Sequence, residues 1–220
     1  MIKKNVGVLI PVYNEEKNLK KVIQKAKKFS KVFVIDDAST DNSYKIAKEN
    51  CNKVFRNKKR LGYDSSIKLG LKKISHNYKD IKYLISLDGD GQHVPSEIPK
   101  FLKIAEHYNI VIGKRSFYNR YSEYFSGYIF KLLLNIRDPL SGMKMYNLKK
   151  INNKIPKLRV GSDEMGLFFI YLAKKSEITE IFIDIKAKNK ESSIGDGLSV
   201  NLRIIKASLK ILCKKILSLE

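Results

Sequence analysis

The 220-residue chain carries 44 Lys and Arg against 22 Asp and Glu, a formal charge of +22, with 43% apolar and 10% aromatic residues. The apolar share excludes a disordered chain, and the length suits one α/β domain with a buried core. No run approaches the roughly 18 apolar residues of a membrane-spanning helix, so any membrane contact is expected to be peripheral. Cys51 and Cys213 have neither CxxC nor Cys/His spacing, which speaks against a disulfide framework or a zinc site and for a reducing compartment.

In chain order, Val6 to Pro11 reads as a first strand rather than a signal peptide, and Glu15 to Lys28 as a helix. Val32 to Ile35 is the next strand, followed by a helix over Asn42 to Glu49 with Ser39 or Asp41 as its cap. Val54 and Phe55 suggest a short strand, Ser65 to Ile74 a helix, and Tyr83 to Leu87 a strand running into DGDGQH. A helix from Ser96 to Glu106, with Pro99 in its first turn, leads to a strand at Ile110 to Gly113. Phe117 to Ile136 is aromatic and basic, GMKMYN reads as a strand, Asp163 to Lys174 as a helix, and Ile178 to Ile185 as a strand.

The clearest period comes last. Leu198, Leu202, Ile205, Leu209, Leu212, Ile216 and Leu219 form an apolar stripe, widened by Ile204 and Ile211, with Arg203, Lys206, Lys210 and Lys214 on the other side. Residues 1–197 therefore make one domain and residues 198–220 an amphipathic basic helix. That helix packs on the sheet, pairs with a second copy as a homo-oligomer, or lies in a membrane interface.

Strands alternating with helices make a mainly parallel sheet, in which ligands bind beyond the carboxyl ends of the strands. Three polar clusters fall at such ends: Pro11-Val12-Tyr13-Asn14-Glu15, Asp36-Asp37-Ala38-Ser39-Thr40-Asp41, and Asp88-Gly89-Asp90-Gly91-Gln92-His93. Any one alone is common turn chemistry, whereas three on one sheet converge on one crevice. Asp88 and Asp90, one glycine apart, suit a hard divalent cation, Mg²⁺ or Mn²⁺, that leaves positions for phosphate oxygens. The Asp36-Asp37 pair suits hydrogen bonds from ribose hydroxyls or base N–H groups.

PVYNE, DDASTD, DGDGQH, GKR at Gly113 to Arg115 and DPLSG at Asp138 to Gly142, in this order, resemble family 2 glycosyltransferases of the α/β GT-A fold. The likeness is greatest to polyprenyl-phosphate (dolichyl-phosphate) mannose or glucose synthases. It implies a nucleoside-diphosphate sugar, GDP- or UDP-linked, as donor. By resemblance Pro11, Tyr13, Glu15 and Asp37, with Asp36 beside them, contact the nucleotide. Asp88 binds the ribose and diphosphate side, Asp90 is the principal metal ligand, Gln92 lies near both, and Arg115 faces phosphate. Asp138 to Gly142 shapes the acceptor side.

Two stretches depart from the family pattern. At Arg60 to Leu71, Tyr63, Asp64 and Ser65 replace small residues, and Lys188 to Gly195 carries lysines where the lipid-phosphate synthases have arginines. If the acceptor is a polyprenyl phosphate, its oxygen is already ionised and needs no strong base. If it is a sugar hydroxyl of a glycan, Asp163 or Glu164 is the candidate base. The aromatic stretch from Tyr118 to Phe130 and the basic last helix favour a lipid acceptor at the cytoplasmic face of a membrane. Nucleic acid is not an expected partner, since no helix-turn-helix, RNP-like or zinc-finger pattern accompanies the charge.

Overall fold

The computed structural model describes residues 5–118, 120–162, 164–186 and 197–217, the last four by backbone alone. Strand β1 (Val6–Val12) is buried along its whole length, as a strand covered on both faces must be. Helix α1 (Glu16–Ala26) buries Leu19, Val22, Ile23 and Ala26 at helical spacing and returns the chain to β2 (Lys31–Asp36). Helix α2 (Ser43–Asn50), β3 (Lys53–Arg56), α3 (Tyr63–Asn77) and β4 (Tyr83–Ser86) complete a parallel β3-β2-β1-β4 half.

A 3₁₀ turn at Pro95–Glu97 then opens α4 (Ile98–Ile104), followed by β5 (Ile110–Lys114), α5 (Tyr121–Leu134), β6 (Lys144–Asn147), α6 (Leu148–Ile151), β7 (Ile178–Phe182) and α7 (Leu198–Leu217). The sheet order is β3-β2-β1-β4-β6-β5-β7, and β6 runs antiparallel to both of its neighbours. The start of β6 therefore lies beside the carboxyl ends of β4 and β5.

The sheet is packed on both faces. Leu9, Phe33, Ile35, Leu84 and Ile112 meet α3, α5 and the 167–173 segment, while Val8, Ile10, Val34, Ile85 and Val111 meet α1 and α4. Helix α3 comes close to β1 at Gly70, where a Cβ would lie 2.7 Å from Leu9 Cδ1.

Three expectations change. The helix expected from Asp163 to Lys174 is, among the described residues, a 3₁₀ helix at Leu167–Tyr171. Met165 (φ 52°) and Gly166 (φ 81°) sit in the left-handed region and stop an α-helix, and the apolar run is buried as a plug instead. The strand expected to reach Ile185 ends at Phe182, with a separate bridge from Ile185 to His93. Helix α7 packs on α5 through Val200, Ile204, Ser208 and Ile211, and Ser208 Oγ donates to Ser126 Oγ at 2.9 Å. Leu198, Leu202 and Leu209 of the expected stripe stay 69%, 46% and 42% exposed.

Candidate active site

The first two strand-end clusters hold each other. Asn14 N donates to Ser39 Oγ (3.1 Å), Glu15 N to Ser43 Oγ (2.8 Å), Glu16 N to Asp41 Oδ2 (3.1 Å), and Thr40 N to Asn14 Oδ1 (2.9 Å). Asp41 Oδ1 also accepts from Ser43 N at 2.9 Å, satisfying an amide at the start of α2. Asn14 (φ 56°) and Ala38 (φ 61°) both adopt left-handed backbone here, so the crosslinks maintain a locally costly conformation. Tyr13 is half-buried, and the Arg60 guanidinium stacks over its ring with 4.0 Å to the centroid.

Asp37 is a loop anchor. Its Oδ1 accepts from Asn57 Nδ2 and Leu61 N and its Oδ2 from Gly62 N, each at 2.8 Å, which fixes the 57–62 turn leading into α3. One lone-pair position of the carboxylate remains for another donor. Asp36 is fully buried and neither oxygen has a well-formed hydrogen bond among the described residues, although Arg56 Nε lies 3.1 Å from Oδ2. We read that contact as an ion pair without hydrogen-bond alignment.

At the end of β4, Asp88 is partly exposed, and its Oδ1 is shielded from solvent with no hydrogen-bond partner among the described residues. His93 Nδ1 accepts from Asp88 N at 3.3 Å, tying the buried imidazole to the Asp88 backbone, and lies 3.3 Å from Asp88 Oδ2. Asp90 Oδ1 accepts from Gln92 N at 2.9 Å, closing the turn. Gly142 faces Asp88 across the β4–β6 pairing, and a Cβ there would strike the carboxylate at 2.6 Å from Oδ1. Ser86 Oγ donates to Gly142 O at 2.6 Å and tightens that junction. No group of three or more His, Cys, Asp or Glu is gathered for a metal among the described residues. Two carboxylates with an orphaned oxygen nevertheless suit a hard cation that takes its remaining ligands from phosphate and water.

Arg115, just past β5, donates from Nε to Asp138 Oδ2 and from Nη2 to Asp138 Oδ1, both at 2.8 Å, and from Nη2 to Glu123 Oε2 at 3.0 Å. Burial works against its charge, but Asp138 and Glu123 outweigh it and hold the guanidinium protonated. Arg115 thus locks the 138–142 loop to α5. Lys144, 3% exposed, donates to Ser141 O at 2.6 Å. Burial pushes it down to about 8, opposed by Asp138, Asp64 and Asp88.

Asp163 and the Lys188 to Gly195 stretch lie outside the described residues. Glu164 is paired with Lys68 of α3, a side chain with no exposed surface. Pro11, Tyr13, Glu15, Asp37, Asp88, Asp90, Gln92, Arg115 and Asp138 all fall at or beside one end of the sheet, through the strand ends that carry them. Sequence reasoning missed Glu123, Lys68 and Lys144 as members of this neighbourhood. The only local signal was the replacement of small residues at Tyr63, Asp64 and Ser65.

A parallel half, an antiparallel β6 and an acidic DGD at the central strand end define a GT-A nucleotide-sugar fold. The family model described as Glycosyl transferase family 2 matches residues 7–175, and the chain belongs to that family. It is 28% identical to the UDP-N-acetylglucosamine–dolichyl-phosphate N-acetylglucosaminyltransferase of Methanococcus voltae, covering 91% of this chain and 92% of the relative. It is also 28% identical to the undecaprenyl-phosphate 4-deoxy-4-formamido-L-arabinose transferase of Proteus mirabilis over 91% of this chain, and spans 64% of that longer relative. Among solved structures, the glucosyl-3-phosphoglycerate synthase of Mycobacterium tuberculosis with Mn²⁺, uridine-diphosphate-glucose and phosphoglyceric acid superposes with a TM-score of 0.71 at 17% identity. That match covers 94% of this chain and 79% of the other.

Proposed function

We propose that the chain transfers a hexose, with inversion, from a UDP- or GDP-linked sugar to a polyprenyl phosphate at the cytoplasmic face of a membrane. The observation that carries the reading is the Asp88 carboxylate, which faces Gly142 of the 138–142 loop and whose Oδ1 has no hydrogen-bond partner among the described residues. The relatives named for dolichyl and undecaprenyl phosphate support the acceptor class, and the Mn²⁺-bound neighbour supports a divalent metal.

In this reading Pro11, Tyr13 and Glu15 contact the nucleotide, and Asp36 and Asp37 stiffen the wall against which it lies. Asp88 and Asp90 hold Mg²⁺ or Mn²⁺, with Gln92 adjacent. A cation there would neutralise charge growing on the departing diphosphate. Arg115, its charge offset by Asp138 and Glu123, acts by fixing the acceptor-side loop through Asp138. The crevice aligns the acceptor oxygen behind the anomeric carbon, and a phosphate oxygen, being ionised, attacks without surrendering a proton to the protein. On α5, Tyr121, Tyr124, Tyr128 and Leu132 are 59–66% exposed, an apolar row suited to an interface. No described helix is long and apolar enough to cross a membrane.

The test is nucleoside-diphosphate release from a panel of UDP- and GDP-sugars with Mn²⁺, with and without polyprenyl phosphate. Acceptor-dependent release is expected from one donor, reduced at least about 100-fold in Asp90→Ala. Release from none of the donors, or release indifferent to Asp90→Ala, refutes the reading.

A further inference from the structure

The positions that depart from the family pattern at the start of α3 each make a contact. Tyr63 Oη donates to Gly142 O at 3.3 Å, beside Asp88. Asp64, 4% exposed, accepts from Glu164 N and Gly166 N, both at 2.6 Å. Ser65 Oγ accepts from Gly161 N at 3.0 Å. One turn on, Lys68 Nζ donates to Ser162 O and Ser162 Oγ, both at 2.9 Å, and pairs with Glu164, while standing 5.2 Å from the Phe168 ring centroid. Helix α3 therefore satisfies three amides, one carbonyl and one carboxylate of a loop about 100 residues away in sequence. Lys144 joins that loop to the Asp88 side, because its Nζ donates to Ser141 O and lies 3.6 Å from the point where a Gly166 Cβ would stand.

We propose that Asp64, Ser65 and Lys68 form a latch that holds residues 161–162 and 164–166 against Lys144, and that Glu164 serves there as the counter-ion of Lys68. Glu164 is then a positioning residue rather than a base, and the acceptor is one that arrives already ionised, an organic phosphate. This rests on the glycosyltransferase reading above and assigns Glu164 its part in it. The physical argument is charge balance. Lys68 is wholly buried and Glu164 is its paired carboxylate, so taking a proton from a sugar hydroxyl would neutralise Glu164 and leave a buried ammonium without its counter-charge. A phosphate acceptor asks for no such transfer.

A paired variant separates the roles. Lys68→Met and Glu164→Gln each leave one charge of the pair without its counter-charge, and each is expected to lower kcat by about tenfold or more. The double variant Lys68→Met/Glu164→Gln removes both charges together and is expected to return kcat to within about threefold of wild type. If Glu164 is a base, the double variant stays as inactive as Glu164→Gln, about 10² to 10⁴ below wild type, and the proposal is overturned.

Asp64→Asn gives a second reading that does not need the double variant to fold. It is expected to speed hydrogen exchange at the 164 and 166 amides and to lower kcat/KM for the acceptor about tenfold, with donor KM within about twofold of wild type. Unchanged protection at these amides removes the latch. Failure of wild-type enzyme to use any phosphate acceptor, with transfer to a sugar hydroxyl instead, overturns the acceptor assignment while leaving the exchange result to stand on its own.

Discussion

Lys144 shows what a single buried charge costs at the edge of this site. Burial lowers it to about 8 from the ordinary 10.5. Between those values the unfolded chain binds the proton and the folded protein does not, so stability contributed by this group rises as pH climbs from 8 toward 10.5. It is flat below that window, where both states are protonated. The full change amounts to about 3 kcal/mol. Lys144→Met should abolish this rise, seen as the difference between wild-type and variant urea midpoints at pH 7.5, 9 and 10. Such a residue is illegible in sequence, where it is one lysine among many on a chain with 44 basic residues. Asp88, Asp90, Asp36 and Asp37 were legible because each pair is local and follows an apolar run. Asp64 and Lys68 were not, since their partners lie 100 and 96 residues away. Asp37 marks the limit from the other side: its position was evident, but its work as anchor of the 57–62 turn depends on amides that any residue carries.

At the level of elements, periodicity found the strands and helices of the parallel half because each alternates between covered faces of one sheet. It failed at 164–174, where the apolar spacing belongs to a plug whose backbone is interrupted at Met165 and Gly166. It also misjudged the packed side of α7. Ile204 and Ile211, read as the margin of the stripe, face α5, while Leu198, Leu202 and Leu209 face outward. Side-chain spacing shows how wide an apolar face is, but the neighbouring helix selects which part is used. Close approach has the same dependence on a partner: Gly70→Val would force its side chain into the terminal methyls of the fully buried Leu9. A loss of about 2 kcal/mol is expected, read as a lowered urea midpoint with an unchanged slope.

For the whole molecule, the +22 charge and the exposed apolar rows of α5 and α7 act on the same kind of surface. The protein is expected to co-sediment with phosphatidylglycerol vesicles, less so as salt is raised, and Tyr124→Ser/Tyr128→Ser/Leu132→Ser should weaken that binding about tenfold. Equal sedimentation with neutral vesicles at every salt concentration would remove charge from the explanation. The topology also bears on how the molecule assembles. The β1–β4 pairing joins Leu9 to Ser86, a longer separation than the 58 residues between Lys144 N and Ser86 Oγ. Neither closure is local, so the parallel half and β6 are expected to condense in one cooperative step. Gly142 precedes β6, and the Asp88 carboxylate therefore acquires its neighbour only when the whole sheet closes. The acidic end of β4 is thus a product of the complete sheet, with no smaller piece of the chain able to assemble it.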